Sequence, residues 1–151
     1  MNEQESGEDG APGADPVVRP QYHWRKSEQG WRAWDVFRLI RMSASFAVVD
    51  HPLADIAELD EPYWFADNVD MPSCRDVLAH ASLIEAADLR WPIILDHEGR
   101  VMDGMHRICK AAALGSETLR AVQFDKPVKP DHVGVNPDDL PLPGGPDVDG
   151  Q

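Results

Sequence analysis

Residues 92–115 constrain the fold of this chain more than any other segment. Two short apolar strands, predicted over 92–96 and 100–103, are joined by the tight turn His97-Glu98-Gly99. A helix is predicted to follow directly, from about Met105 to Leu114. Two strands that lead straight into a helix are typical of a mixed domain, so the expected fold class is α/β (α+β), with a small mixed sheet and packed helices.

Further elements extend this unit to a domain predicted over residues 46–126. The run 46–50 favours a first strand, which His51-Pro52 is expected to stop because proline supplies no N–H to a ladder. A strand is also predicted over 120–124. Between them, Ser73 and Asp76 indicate a capped helix that ends near Asp88. The predicted buried stripe of that helix comprises Val77, Ala81 and Ile84.

The segment 21–45 precedes this domain and is interpreted as an added N-terminal helix. From Ser27 to Ser45 its apolar residues recur at helical spacing, which predicts an amphipathic helix. Three tryptophans cluster around the start of that segment: Trp24, Trp31 and Trp34. We interpret them as a hydrophobic anchor; a platform for a partner or a ligand is the alternative.

Both ends of the chain differ in composition from its middle. Residues 1–20 and 127–151 are rich in Gly, Pro, Asp and Glu, which predicts two disordered tails. Each tail holds five acidic residues and one basic residue, so residues 21–126 keep 17 acidic and 12 basic residues and a net charge of −5, against −13 for the whole chain. A negative domain lacks the basic surface that duplex DNA requires, so no direct binding to duplex DNA is expected.

Cysteine content and hydropathy bear on the compartment. Cys74 and Cys109 are too few for a disulfide framework, and they lack zinc-finger spacing. The sequence shows neither a signal peptide nor a membrane span. A soluble cytoplasmic protein without a membrane partner is therefore expected, with a protein partner or a homodimer left open.

The predicted turn from strand to helix carries the chemistry. Gly104 lets the backbone adopt a positive φ or approach a ligand closely, and the next few N–H groups have no partner within the helix. The side chains of His106, Arg107 and Lys110 can project from one side of the first turns. Backbone donors and fixed positive charges together predict a phosphate-binding site. The alternative is a plain tight turn whose cations form a solvated face.

Asp103 lies beside these predicted cations. Its carboxylate either neutralises them internally, chiefly through Arg107, or holds a metal that accompanies a phosphate, with Mg²⁺ the natural candidate. The loop from Glu61 to Phe65 is expected to cover the site, and Tyr63, Trp64 and His80 are the candidate pocket residues. For His80 the alternative is a histidine at the edge of the core with a satisfied hydrogen bond.

The order strand, glycine turn, strand, Asp103-Gly104-Met105-His106-Arg107, alanine-rich helix, glycine and strand resembles the ParB/sulfiredoxin superfamily. The resemblance spans about Val48 to Phe124. Sulfiredoxins place a nucleophilic cysteine where this chain has Met105, and a thioether supplies no thiolate, so sulfiredoxin activity is not expected. ParB partition proteins have a turn similar to Gly-Glu-Arg-Arg and a following helix-turn-helix region, and neither is recognisable here.

The free-serine kinases of the same superfamily have the most similar turn, Asp-Gly-His-His-Arg. This resemblance implies that Asp103 acts near the metal or the substrate hydroxyl, and that Gly104 and His106 contact phosphates. Arg107 would stabilise the transferred charge. Those kinases also use a glutamate after the first strand as a base, for which Glu58 or Glu61 is the candidate.

The hypothesis from the sequence is a domain that binds a nucleotide or another phosphorylated ligand, with ATP, ADP or CTP and Mg²⁺ as the expected cofactors. Phosphoryl transfer to a small hydroxylated metabolite is the enzyme hypothesis. The alternative is a non-catalytic module that senses a ligand or binds a protein, with the tryptophan-rich segment and the Glu61–Phe65 loop as contact surfaces.

Overall fold

The computed structural model describes residues 21–65, 71–141 and 143. They form a three-stranded and a four-stranded β-sheet and three α-helices, so the predicted mixed α/β class is confirmed. None of the helices in these ranges has the length and apolar character needed to cross a membrane.

The first sheet begins with a hairpin where the sequence predicted a helix over 27–45. Strands β1 (Tyr22–Ser27) and β2 (Gly30–Asp35) pair antiparallel, and only α1 (Val36–Ser43) is helical. The prediction was wrong because Gly30 takes a φ of 99° and reverses the chain, while aromatic residues favour the pleated surface of a strand. The side chain of Asp35 then accepts a hydrogen bond from Phe37 N and caps α1.

The second sheet contains β3 (Val49–Pro52), β4 (Ile93–Leu95), β5 (Val101–Asp103) and β6 (Thr118–Gln123). Their spatial order is β3-β6-β4-β5, and β4 and β6 run parallel, whereas the other pairs are antiparallel. The predicted stop at His51-Pro52 was wrong, since both residues belong to β3. This strand lies at an edge of the sheet, where a proline at the last position is tolerated.

Helix α2 (Cys74–Ala86) begins at the predicted capping box. Asp76 N donates to Ser73 Oγ, and Ser73 N donates to the Asp76 carboxylate. Its predicted buried stripe was wrong: Ala81 is exposed, Ile84 is half-buried, and Val77 keeps 53% of its surface accessible. The reason is that α2 packs on α3 (Met105–Ala113) rather than on the sheet.

The core lies on both faces of the four-stranded sheet. Alternation along β4 sends Ile93 and Leu95 toward α3, and Ile94 toward the hairpin and α1. Two short 3₁₀ helices, Leu53–Asp55 and Ala57–Asp60, close the α3 side. The core thereby fixes β5 and the start of α3, the elements that form the candidate site.

The C-terminal segment 127–151, predicted to be disordered, packs on the domain over 127–141. Strand β7 (His132–Val133) joins the first sheet beside β2, and a 3₁₀ helix spans Pro137–Asp139. Trp34 Nε1 donates to Val128 O at 2.8 Å. The prediction of disorder was wrong for 127–141 because hydrogen bonds from the backbone and from polar side chains attach this segment to the domain, and composition does not reveal such bonds. The predicted tail 1–20 lies outside the described residues.

Candidate functional site

Gly104 forms the turn from β5 to α3, as predicted. Its φ is 109°, and a Cβ at this position would lie 2.5 Å from Ile93 Cγ2. The positive φ and the close approach to Ile93 both require glycine. The turn therefore delivers the N-terminus of α3 to one fixed place against the sheet.

This helix N-terminus opens into a surface cleft of about 1490 Å³. Backbone N–H groups in the first turn of a helix lack intrahelical partners and lie at the positive end of the helix dipole. Residues from several parts of the chain line this cleft, including the two candidate bases and the whole predicted turn: Glu58, Glu61, Tyr63, Trp64, Arg100, Asp103, Gly104, Met105, His106 and Arg107.

Arg107 holds the turn together from inside. Its Nη2 donates to Asp103 Oδ2 at 2.8 Å, and its Nη1 donates to Trp91 O and Pro92 O at 2.9 and 2.7 Å. Burial raises the pKa of Asp103, against the opposing effect of the Arg107 guanidinium. The predicted phosphate-binding guanidinium is thus engaged with the protein itself, which matches the internal neutralisation that the sequence left open.

The side chains of Lys110 and Met105 also make contacts other than the predicted contacts with a phosphate. Lys110 Nζ donates to Glu85 O and Ala87 O at 2.8 and 2.7 Å, so it satisfies carbonyls at the end of α2. The side chain of Met105 is buried in the core, which leaves its backbone N–H at the cleft. Cys109 packs against the same core, and burial raises the pKa of its thiol.

Glu58 is the buried acid of the cleft. It is only 4% exposed; its Oε2 accepts a hydrogen bond from Val101 N at 2.8 Å and lies 3.1 Å from Arg100 Nε. Its other oxygen, Oε1, is buried without a hydrogen-bond partner among the described residues. A buried acceptor without a partner is unfavourable, so Oε1 is suited to accept a hydrogen bond from a bound hydroxyl or amine.

Glu61, the other candidate base, lies at the rim of the cleft. Its carboxylate receives two hydrogen bonds from Arg100, at 2.8 and 3.2 Å. The hydrogen bonds from Arg100 lower the pKa of Glu61. An exposed carboxylate already paired in this way is a poor proton acceptor.

Tyr63 brings a phenol close to the acids of the cleft. Burial, together with the negative charges of Asp103 and Glu58, raises its pKa to about 12. Its hydroxyl therefore stays protonated at neutral pH and can donate a hydrogen bond.

Trp64, His80 and His106 form a stacked group at the start of α3. His80 Nδ1 and His106 Nε2 are 2.9 Å apart, and Trp64 stacks on both imidazoles at centroid distances of 4.2 and 4.5 Å. The imidazole centroids are 5.1 Å apart, so the two rings lie side by side over the indole. The structure thus brings together two predicted pocket residues and the histidine of the turn. The His80–His106 bond also matches the alternative of a satisfied histidine.

Two residues that line the cleft, His23 and Arg25, and Asp96, which pairs with Arg25, were not identified from the sequence. Arg25 Nη1 donates to Asp96 Oδ2 at 2.8 Å, and Arg25 Nε donates to His23 Nε2 at 2.9 Å. Burial and the nearby guanidinium lower the pKa of His23 to about 3. Hydrogen bonds from Arg25 and from two backbone N–H groups lower the pKa of Asp96, although burial alone would raise it. The position of Asp96 before a glycine turn was a signal that could have identified it. Its pairing with Arg25, on a hairpin distant in sequence, could not be predicted from any local pattern.

Within residues 21–65, 71–141 and 143, no three side chains of His, Cys, Asp or Glu converge in a way that could hold a metal ion. Asp103, the predicted metal ligand, lines the cleft with its Oδ2 in the ion pair to Arg107.

Comparisons with models of protein families, with curated proteins and with solved structures find no match to this chain. The resemblance to the ParB/sulfiredoxin superfamily therefore depends on the order of elements and on the turn from Asp103 to Arg107.

Proposed function

We propose that this chain is a ParB/sulfiredoxin-like domain that binds a nucleotide or a related phosphorylated ligand at the N-terminus of α3. One observation carries the proposal: the N-terminus of α3 and Glu58, whose buried Oε1 has no hydrogen-bond partner among the described residues, line the same cleft. The first offers donors to a phosphate, and the second accepts from a hydroxyl. A ligand with both groups fits this pair.

In this proposal the residues of the predicted turn and of α3 have different roles. Backbone N–H groups of Met105, His106 and Arg107 contact the phosphate, and His106 supplies the side chain nearest to them. Arg107 acts from behind as a positioning residue, because its side chain donates to Asp103 and to two carbonyls. Lys110 stabilises the contact between α2 and α3 and takes no part in binding.

As an enzyme, the domain would transfer a phosphoryl group to a small hydroxylated metabolite. Glu58 Oε1 would accept the proton of the attacking hydroxyl, and Tyr63 would donate a hydrogen bond to the ligand. Mg²⁺ fits this site only in part, since Asp103 supplies one carboxylate and the phosphates and water would supply the other ligands.

Binding is tested by isothermal titration with ATP, ADP and CTP, each with and without Mg²⁺. We expect at least one nucleotide to bind the wild-type protein, and His106→Ala to weaken that binding about tenfold, the scale of a hydrogen bond to a charged group. His97→Ala is the matched control, because His97 lies on the β4–β5 turn outside the lining of the cleft. Equal affinity in both variants, or no binding to wild type, would reject the site.

Non-catalytic ligand sensing is the second candidate. It is favoured because Arg107 and Lys110 both donate to carbonyls of the protein. Neither the guanidinium of Arg107 nor the ammonium of Lys110 is then available to a transferred phosphoryl group. Measurement of ADP release with a panel of hydroxylated metabolites separates the two functions. Turnover that Glu58→Gln abolishes, with nucleotide affinity retained, supports the transferase; binding with no turnover supports the sensor.

A further inference from the structure

Helix α2 contacts the rest of the domain along one side only. It has 13 residues, and none of its side chains is fully buried. His80 contacts His106 of α3, and Leu83 lines the cleft. Apart from these two and Ile84, every side chain of α2 is exposed. A helix of this length gains most of its stability from packing, so its exposed side is suited to a second contact.

The exposed side of α2 carries an apolar surface with a basic residue near its start and an acidic residue near its end. Cys74, Leu78, Ala81 and Glu85 are spaced by four, three and four residues, so they follow one line along the helix. Arg75 lies beside this line in the first turn. Leu78 keeps 65% of its surface accessible. We call these five residues the α2 face.

An apolar groove adjoins the α2 face where α2 meets the end of α3. Its volume is about 320 Å³, and its lining residues are Ala81, Ile84, Glu85, Lys110, Ala113 and Leu114. The ammonium of Lys110 donates to two carbonyls at the end of α2, so its charge is engaged within the chain. Leu114 keeps 66% of its surface accessible. Exposed apolar surface of this kind is typical of a contact with another protein molecule.

The leucine and the groove are placed so that two copies of α2 fit each other. When two copies run antiparallel about a two-fold axis near residues 79–80, Leu78 of each copy lies opposite Ala81 of the other, at the groove. The same axis brings Arg75 of each copy opposite Glu85 of the other. In a two-fold interface every such contact occurs twice. One axis therefore satisfies the apolar pair and the charged pair together.

The charges of the α2 face are available for an intermolecular pair. Neither Arg75 nor Glu85 has an ion-pair partner within 21–65, 71–141 and 143. Asp76, also in the first turn, is engaged with Ser73 in the capping box. A parallel arrangement would bring the two Arg75 side chains together, whereas the antiparallel arrangement brings each next to a carboxylate. The charges thus favour a second, antiparallel copy of this chain.

We propose that the chain forms a two-fold dimer through the α2 face. Leu78 of each copy enters the groove of the other, and Arg75 of each copy pairs with Glu85 of the other. None of the five residues of the α2 face lines the cleft, so the dimer does not depend on the function proposed for the cleft.

Sedimentation equilibrium of the full-length protein at micromolar concentrations and physiological salt tests the dimer. The wild-type protein should approach twice the chain mass of 16.8 kDa. Leu78→Asp should be monomeric, because it places two carboxylates in the apolar grooves of each dimer. Val133→Asp is the matched control, since Val133 is also an exposed apolar residue but lies on β7. It should dimerise like the wild type.

An exchange of charges tests the antiparallel register. Arg75→Glu and Glu85→Arg should each raise the dissociation constant of the dimer about tenfold, because like charges then face each other twice. The combined variant Arg75→Glu/Glu85→Arg restores both pairs and should return to within about threefold of wild type. Both residues are exposed, and circular dichroism checks that each variant is folded. A monomeric wild type, a dimer that persists in Leu78→Asp, or a combined variant as weak as the single ones would overturn the proposal.

Discussion

The guanidinium of Arg107 connects three segments of the chain through its hydrogen bonds. It donates to the Asp103 carboxylate and to the carbonyls of Trp91 and Pro92, so it ties α3 to β5 and to the residues before β4. Arg107→Ala would leave a buried carboxylate and two carbonyls without donors. We predict a loss of roughly 3–5 kcal/mol in the free energy of unfolding, measured by denaturant titration.

Asp103→Asn/Arg107→Ala serves as the control for this prediction. It removes the stranded charge together with its partner, so it should be more stable than Arg107→Ala alone. An Arg107→Ala protein with wild-type stability would show that the guanidinium is available to a ligand, as the sequence first suggested.

The lowered pKa of His23 makes the stability of the protein depend on pH. The pKa of His23 in the folded protein is about 3, below the ordinary histidine value of 6.5, chiefly because the side chain is buried. Between these values the unfolded chain binds the proton and the folded chain does not, so stability falls as the pH is lowered through 6.5. From pH 7 to pH 5 this group accounts for a loss of about 2 kcal/mol.

The His23→Gln variant tests that dependence. A glutamine oxygen can still accept from Arg25, yet it does not titrate, so the variant should lose about 2 kcal/mol less than wild type over the same pH range. His97→Gln, on an outer turn, should follow the wild-type curve. If the stability of wild type and His23→Gln changes equally with pH, the pH dependence does not arise from His23.

The turn between β5 and α3 is the element on which the site depends. At Gly104 a side chain would meet both a φ of 109° and a contact of 2.5 Å with Ile93. Gly115, at the end of α3, has a φ of 77° with open space around it. Gly104→Ala should therefore destabilise the protein by about 2–5 kcal/mol, the sum of backbone strain and overpacking. Gly115→Ala should cost about 1 kcal/mol.

Thermal denaturation of the two alanine variants compares them directly. Similar melting temperatures would mean that the backbone of the turn relaxes, and that its geometry is not fixed by glycine.

The sequence predicted the start of α2 and the elements from β4 to β6 well, because each has its own local signal. Gly99 closes the turn between β4 and β5, Ser73 and Asp76 cap α2, and Gly104 marks the start of α3. The hairpin was missed because Trp31 and Trp34 are three residues apart, which satisfies a helical period, whereas in β2 they point to opposite faces of the sheet. The turn at Gly30 was the decisive signal.

The site was predicted in part for the same reason. Gly104 and His106 belong to a local motif, and both lie at the cleft. Apart from Asp103, the partners of Arg107 are backbone carbonyls distant in sequence, as are those of Lys110, and no pattern of side chains records them. The unpartnered oxygen of Glu58 likewise depends on how the Ala57–Asp60 helix packs against β5.

At the scale of the whole molecule, the C-terminal segment completes the domain. Arg38 Nε and Asp131 Oδ1 are 2.8 Å apart, Asp131 also accepts from Asp35 N, and β7 pairs with β2. Removal of 127–151 should therefore lower the melting temperature by more than 8 °C, equivalent to about 2 kcal/mol or more for a domain of this size. A truncated protein with the melting temperature of the full-length chain would restore the prediction of a disordered tail.

The central claim is that the N-terminus of α3 binds phosphate. The most direct measurement is a ¹H–¹⁵N correlation spectrum of the full-length protein titrated with ADP and, separately, with inorganic phosphate. The account predicts saturable shifts of the Met105, His106 and Arg107 amides with both ligands, since an N–H that donates to an oxyanion changes its shift. Shifts confined to other regions, or no shifts at millimolar ligand, would contradict it.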